Sequence, residues 1–89
     1  MARLIYTEGF LEDMLLVELP SKRSQIMETV GLLERFPELG SAHVRTSMAH
    51  AFGRGVRKLP VSPFFVVYEY HEAKDEVVIL GLMPQRLVR

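Results

Sequence analysis

The sequence predicts an α+β domain: a helical hairpin on a small, largely antiparallel sheet, in the order β-α-α-β-β-β. Three observations predict it. Apolar residues between Phe10 and Phe36 recur at helical spacing. Residues 56–83 are almost continuously strand-forming, broken only by Ser62-Pro63 and the polar stretch Glu72–Asp75. A length of 89 residues leaves room for one core, so residues 1–89 form a single domain.

Each element has its own signature. Arg3–Thr7 is short and β-prone, the expected first strand. From Glu8 the period changes, with Phe10, Met14 and Val17 at i, i+4 and i+7 and Leu11 and Leu15 beside them. With Leu19 included, the apolar arc spans about 200°, wider than one core contact needs. Pro20 should end this helix, because proline disfavours helix at the residue before it. Ser21 is the expected N-cap of a second helix with Ile26, Val30 and Leu33 as core stripe. Met27, Leu32 and Phe36 widen that stripe, and Pro37 stops the helix. Residues 41–55 read as a loop with a short helix over Thr46–Phe52, limited by Gly53 and Gly55.

The last third should be an antiparallel meander. Val56–Val61 is a strand whose Pro60 points to a sheet edge. Phe64–Tyr70 has the composition of a central strand buried on both faces, and Val77–Met83 is a third of similar character.

Composition excludes several functional classes. Cysteine is absent, which removes disulfide scaffolds, thiolate metal sites and cysteine nucleophiles. No apolar run reaches the roughly 18 residues of a membrane span, and the start lacks a signal-peptide pattern, so a cytoplasmic protein is expected. Eleven basic and eleven acidic residues cancel, which argues against strong non-specific nucleic-acid binding. They are unevenly placed, with four basic and seven acidic residues in 1–44 and the reverse in 45–89.

No phosphate loop, dinucleotide fingerprint or nucleophile elbow occurs. His43, His50 and His71 lie in or next to loops, so no metal and no cofactor is expected. Glu12 and Asp13 are adjacent and diverge by about 100° on a helix, which makes a paired-carboxylate site improbable. The basic residues are more informative. Arg57 and Lys58 open a strand and point to opposite faces, while Arg86 and Arg89 follow the last strand. Together they could hold a phosphate by charge and forked donors, or form a solvated rim that protects the sheet edge.

The element order, the FPELG turn at 36–40, RKLPVSPFFVVYEY at 57–70 and VVILGLMPQR at 77–86 resemble the RelE/ParE superfamily. Its members are small bacterial toxins encoded beside an antitoxin in plasmid-stabilisation or addiction modules. The resemblance covers nearly the whole chain except residues 41–55. It implies a type II toxin that inhibits growth and is neutralised by a cognate antitoxin, with operator DNA reached only through the antitoxin.

The superfamily divides by activity. RelE-like members cut mRNA on the ribosome with cations on the sheet and a late tyrosine, driving attack of a ribose 2′-hydroxyl on the next phosphate. In this chain Lys58 matches one sheet lysine, but the partner lysine position holds Val56 and the middle-strand arginine position holds Phe65. The late arginine motif reads Met83-Pro84-Gln85-Arg86 and no tyrosine follows, so Lys58 and Arg86 alone would remain as catalytic residues. ParE-like members block DNA gyrase without catalysis, and this is the leading reading. Arg57, Pro84, Gln85, Arg86 and Arg89 are then the expected target-binding residues. Phe10, Met14 and Leu16 are the expected antitoxin-binding residues, Leu16 lying about 240° around the helix from Phe10. The alternatives are a ribosome-dependent mRNA interferase and a degenerate module that only binds antitoxin. Exposed apolar surface also makes a homodimer plausible when the antitoxin is absent.

Overall fold

The computed structural model describes residues 1–87. β1 (Arg3–Tyr6) leads into α1 (Glu8–Leu15) and α2 (Pro20–Gly31), followed by α3 (Thr46–Phe52). Then come β2 (Arg57–Val61), β3 (Phe64–His71) and β4 (Glu76–Pro84). The sheet order is β1-β4-β3-β2. β2, β3 and β4 form the expected antiparallel meander, and β1 returns beside β4 in parallel. Among the described residues no helix is long and apolar enough to cross a membrane.

Thr7 makes the first turn possible. Its hydroxyl accepts the Phe10 N–H at the N-cap of α1 and donates to the Ile79 carbonyl at 2.7 Å, tying the helix start to β4. α1 is shorter than its apolar pattern suggests. It ends at Leu15, and the Leu16 and Val17 amides bond back three residues, to Asp13 and Met14. That tightening turns Val17 into the core, and Arg23 holds its carbonyl at 2.8 Å. Pro20 therefore does not terminate α1. It opens α2 at a position where a missing N–H costs nothing, and Leu19 rather than Ser21 is the N-cap residue.

α1 packs over β4 and α2 over β2, both on one face of the sheet. Phe10, Ile26, Val30, Leu33, Val66, Tyr68, Val77 and Ile79 are fully buried between these layers. At roughly 1.5–3 kcal/mol per large side chain removed from water, this cluster dominates stability. Tyr68 carries the one hydroxyl of the set, and it is satisfied on both sides. It accepts from the Gly40 N–H at 2.8 Å and donates to the Pro37 carbonyl at 2.9 Å. Gly40 has to be glycine there, since a Cβ would come within 2.7 Å of the tyrosine ring and 2.8 Å of the Lys58 carbonyl.

The opposite face is not open. α3 lies against it with Met48 fully buried, over Val56 and Val67, and Val44, Phe52, Phe65, Leu80 and Met83 pack around them. A bulge in β4 arranges part of this cluster. Val67 pairs with Gly81 and Tyr68 with Ile79, so Leu80 is the extra residue.

The sheet edges are treated differently. On β2, Ser41 and Lys58 exchange both backbone hydrogen bonds at 2.9 Å and Pro60 has no donor, which agrees with the edge position expected from Pro60. On β1, Arg3 and Thr7 donate to β4, so the parallel pattern turns the amides of Leu4 and Tyr6 outward, where no strand lies.

Candidate functional site

Two surfaces carry the residues that the sequence singled out. The first is a groove between the α1–α2 connection and the far end of the sheet. Because α1 stops at Leu15, residues 16–19 cross above the β2–β3 turn. Leu15, Leu16 and Leu19 stay 82%, 80% and 65% exposed, a degree of exposure that a core stripe would not leave. Phe64 forms the floor of three adjoining clefts of about 460, 300 and 240 Å³. Leu16 and Val17 line the two smaller ones, and Pro84, Gln85 and Arg86 close the largest.

Backbone contacts hold this groove open. Gln85 donates through Nε2 to the Phe64 carbonyl at 3.0 Å and through its amide to the Pro63 carbonyl at 2.9 Å. Lys22 reaches across to the Ser62 carbonyl. Asp13 accepts the Leu82 N–H at 2.9 Å, where β1 has ended and β4 would otherwise show an unpaired donor. Sequence reasoning did not find this role for Asp13. The available signal was Gly81 inside an apolar strand, where a Cβ would meet the Asp13 carboxylate at 2.8 Å and the Phe52 ring at 2.9 Å.

Of the three residues expected to meet an antitoxin, the structure presents Leu16 on this groove. Met14 is half-buried against the core. Phe10 is fully buried and stacks on Tyr6 with ring centroids 5.9 Å apart, so it is not presented on the groove.

The second surface is the face under α3, where a nuclease of the resembled kind would need its cations. Val56 is buried there, and Phe65 and Met83 belong to the same apolar cluster. Lys58 lies on this face with its ammonium 5.2 Å from the Phe65 ring centroid, a cation–π contact. Arg57 points to the other face and is tied to the carbonyls of Gly40 at 2.8 Å and Glu38 at 3.4 Å. There it clamps the 38–40 turn.

Lys58 and Arg86 are not brought together. Lys58 stands opposite Val67 and thence Gly81, whereas Arg86 lies beyond Pro84, the partner of Phe64. That register separates them by roughly 10 Å along the strands and roughly 10 Å across them. They are therefore not adjacent in the sheet. Arg89 lies outside the described residues. Among the described residues no three of His, Asp and Glu gather as a metal site would require.

No family model matches the chain, and no curated protein matches it. Solved structures do. The RelBE2 toxin–antitoxin complex from Mycobacterium tuberculosis contains a chain 19% identical to this one, with a TM-score of 0.75 over 93% of this chain and 96% of that one. The intact RelBE toxin–antitoxin complex of E. coli matches at 16% identity and a TM-score of 0.67, covering 94% of this chain and 96% of that one. The isolated E. coli RelE toxin matches at 16% identity and 0.68, covering 94% and 84%. The fold is that of these RelE toxins, as the sequence pattern predicted.

Proposed function

We propose that this chain is the toxin of a type II toxin–antitoxin pair, held by a cognate antitoxin, and that it acts by binding a protein target such as DNA gyrase. Fold similarity to toxins solved with their antitoxins supports the first part. The groove at Leu16, Leu19 and Phe64 has the exposed apolar character that a helical antitoxin segment covers. The outward edge of β1, where the Leu4 and Tyr6 amides face away from β4, offers a second place for an extended segment.

One observation carries the choice of mechanism. The sheet face that RNA cleavage would use is packed with Val56, Phe65, Met83 and α3. Cleavage through a 2′-hydroxyl needs a base, an acid and charge on the phosphoryl oxygens converging on one phosphate. Among the described residues Lys58 is the one lysine on this face, and it rests over Phe65 with no second cation beside it in register. Target binding then falls to the Pro84–Arg86 end of the sheet, where Arg86 is exposed beside the cleft above Phe64.

The second reading, ribosome-dependent mRNA cleavage, is favoured by the neighbours being RelE toxins. Induction of the chain alone in a bacterial host, with pulse labelling of DNA and protein synthesis, separates the two. The proposal predicts falling DNA synthesis and filamentation while translation continues. An immediate fall in translation would overturn it. No effect on either, with soluble protein present, would leave only an antitoxin-binding module.

A further inference from the structure

No aspartate or glutamate occurs between Glu38 and Glu69, a span that holds Arg45, Arg54, Arg57 and Lys58 together with His43 and His50. The fold sorts these cations. Arg57 is engaged by the 38–40 turn and Lys58 by Phe65. Arg45, His50 and Arg54 make no side-chain hydrogen bond or ion pair among the described residues. By strand alternation, Glu69 and Glu76 project on the α3 face, and they are engaged by His71 and Arg3 respectively.

His50 and Arg54 line a cleft of about 460 Å³ with Val44, Thr46 and Ala49. Its walls are fixed from below. Met48, from the same helix as Thr46, Ala49 and His50, is fully buried against the sheet. Arg54 is bracketed by Gly53 at φ 98° and Gly55 at φ 84°, backbone conformations that side-chain-bearing residues resist.

The guanidinium fork of Arg54, the imidazole of His50 and the Thr46 hydroxyl in this lining supply donors for phosphate oxygens. Val44 and Ala49 supply an apolar wall. The cleft lies within the range of small-molecule sites, roughly 300–1,000 Å³, and a bare phosphate would leave most of it empty. We infer that the cleft between α3 and the Gly53–Gly55 turn binds an organic phosphate. The phosphate sits on Arg54 and His50, and the body of the ligand lies against Val44 and Ala49. A free nucleotide and the 5′-phosphorylated end of a strand share this chemistry. The site stands apart from the Leu16–Phe64 groove and does not depend on the toxin reading.

The test is an amide-shift titration of the full chain with AMP, with adenosine, and with a short oligonucleotide carrying or lacking a 5′-phosphate. AMP should shift the amides of residues 44–55, and adenosine should not. Arg54→Ala should weaken AMP binding by about tenfold or more, since a charge-assisted contact is lost. His50→Ala should weaken it less. Both residues are exposed, so the fold should survive. Arg35→Ala, which removes an exposed cation outside the cleft, should change nothing. Tighter binding of the phosphorylated strand than of AMP supports a strand end as ligand, and equal or weaker binding supports a free nucleotide. The inference fails if neither phosphate ligand shifts these amides at millimolar concentration, if adenosine binds as AMP does, or if Arg54→Ala has no effect.

Discussion

The sheet face beneath α1 and α2 buries thirteen residues in one cluster, whereas the face beneath α3 buries three. The larger cluster holds the domain together, and its single buried hydroxyl, on Tyr68, is satisfied on both sides. The smaller one is held by a seven-residue helix too short to stand alone in water, so its order derives from Met48 and Phe52. One sheet therefore carries a large core on one face and a small one on the other. The second face holds Lys58 over the Phe65 ring, among apolar residues.

Replacing a residue of the larger cluster should do the most damage. Phe10→Ala removes a fully buried ring that also stacks on Tyr6, and should cost about 3–5 kcal/mol in denaturant unfolding. That is a large part of what a domain of this size possesses. Met48→Ala should cost about 2–4 kcal/mol, but in a different pattern. Hydrogen exchange should show amides 46–52 losing protection while β3 and β4 keep theirs. If both variants unfolded the whole chain in one step, the two faces would not be separable.

Tyr68→Phe tests the polar link across the larger cluster. It leaves the Gly40 amide and the Pro37 carbonyl without partners and should cost about 1–3 kcal/mol. Its pH dependence has a definite sign. Burial raises the Tyr68 phenol above its ordinary value of 10.0, with the Gly40 hydrogen bond opposing. The stability it supplies is complete below about pH 10 and declines as pH rises through the raised value. Unfolding from pH 8 to 11 should show that decline in the wild type and a smaller one in Tyr68→Phe. The smallest effect belongs to the other face. Lys58→Ala should alter stability by no more than about 0.5 kcal/mol, because its ammonium contributes only a half-exposed cation–π contact.

Much of this fold was legible because its strands speak plainly. Phe64–Tyr70 is apolar on both alternating faces because α1 and α2 cover one and α3 the other. Pro60 marked an edge because it removes a donor that only an edge can spare. Helix ends were less legible. The apolar run through Leu19 hid the end of α1, since the exposed leucines of a groove have the same composition as a core stripe. Pro20 carries either meaning, stop or first turn, and only the position of Val17 decides between them. Asp13 and Arg57 were illegible because their partners are backbone groups, the Leu82 amide and the Gly40 carbonyl, 69 and 17 residues away. Apart from Gly81, which leaves room for the Asp13 carboxylate, nothing in the side-chain pattern encodes such bonds. Lys58 matched a family position, yet its neighbour in space is Phe65, and the register alone separates it from Arg86.

The central claim, proposed above, is that this chain acts on a protein target and leaves RNA intact. It is tested most directly by adding the purified chain to ribosomes programmed with a defined mRNA, and in parallel to gyrase acting on relaxed plasmid. The account predicts intact mRNA and impaired supercoiling, with Lys58→Ala as effective as the wild type and truncation after Met83 inactive. Cleavage of the mRNA that disappears in Lys58→Ala would contradict it.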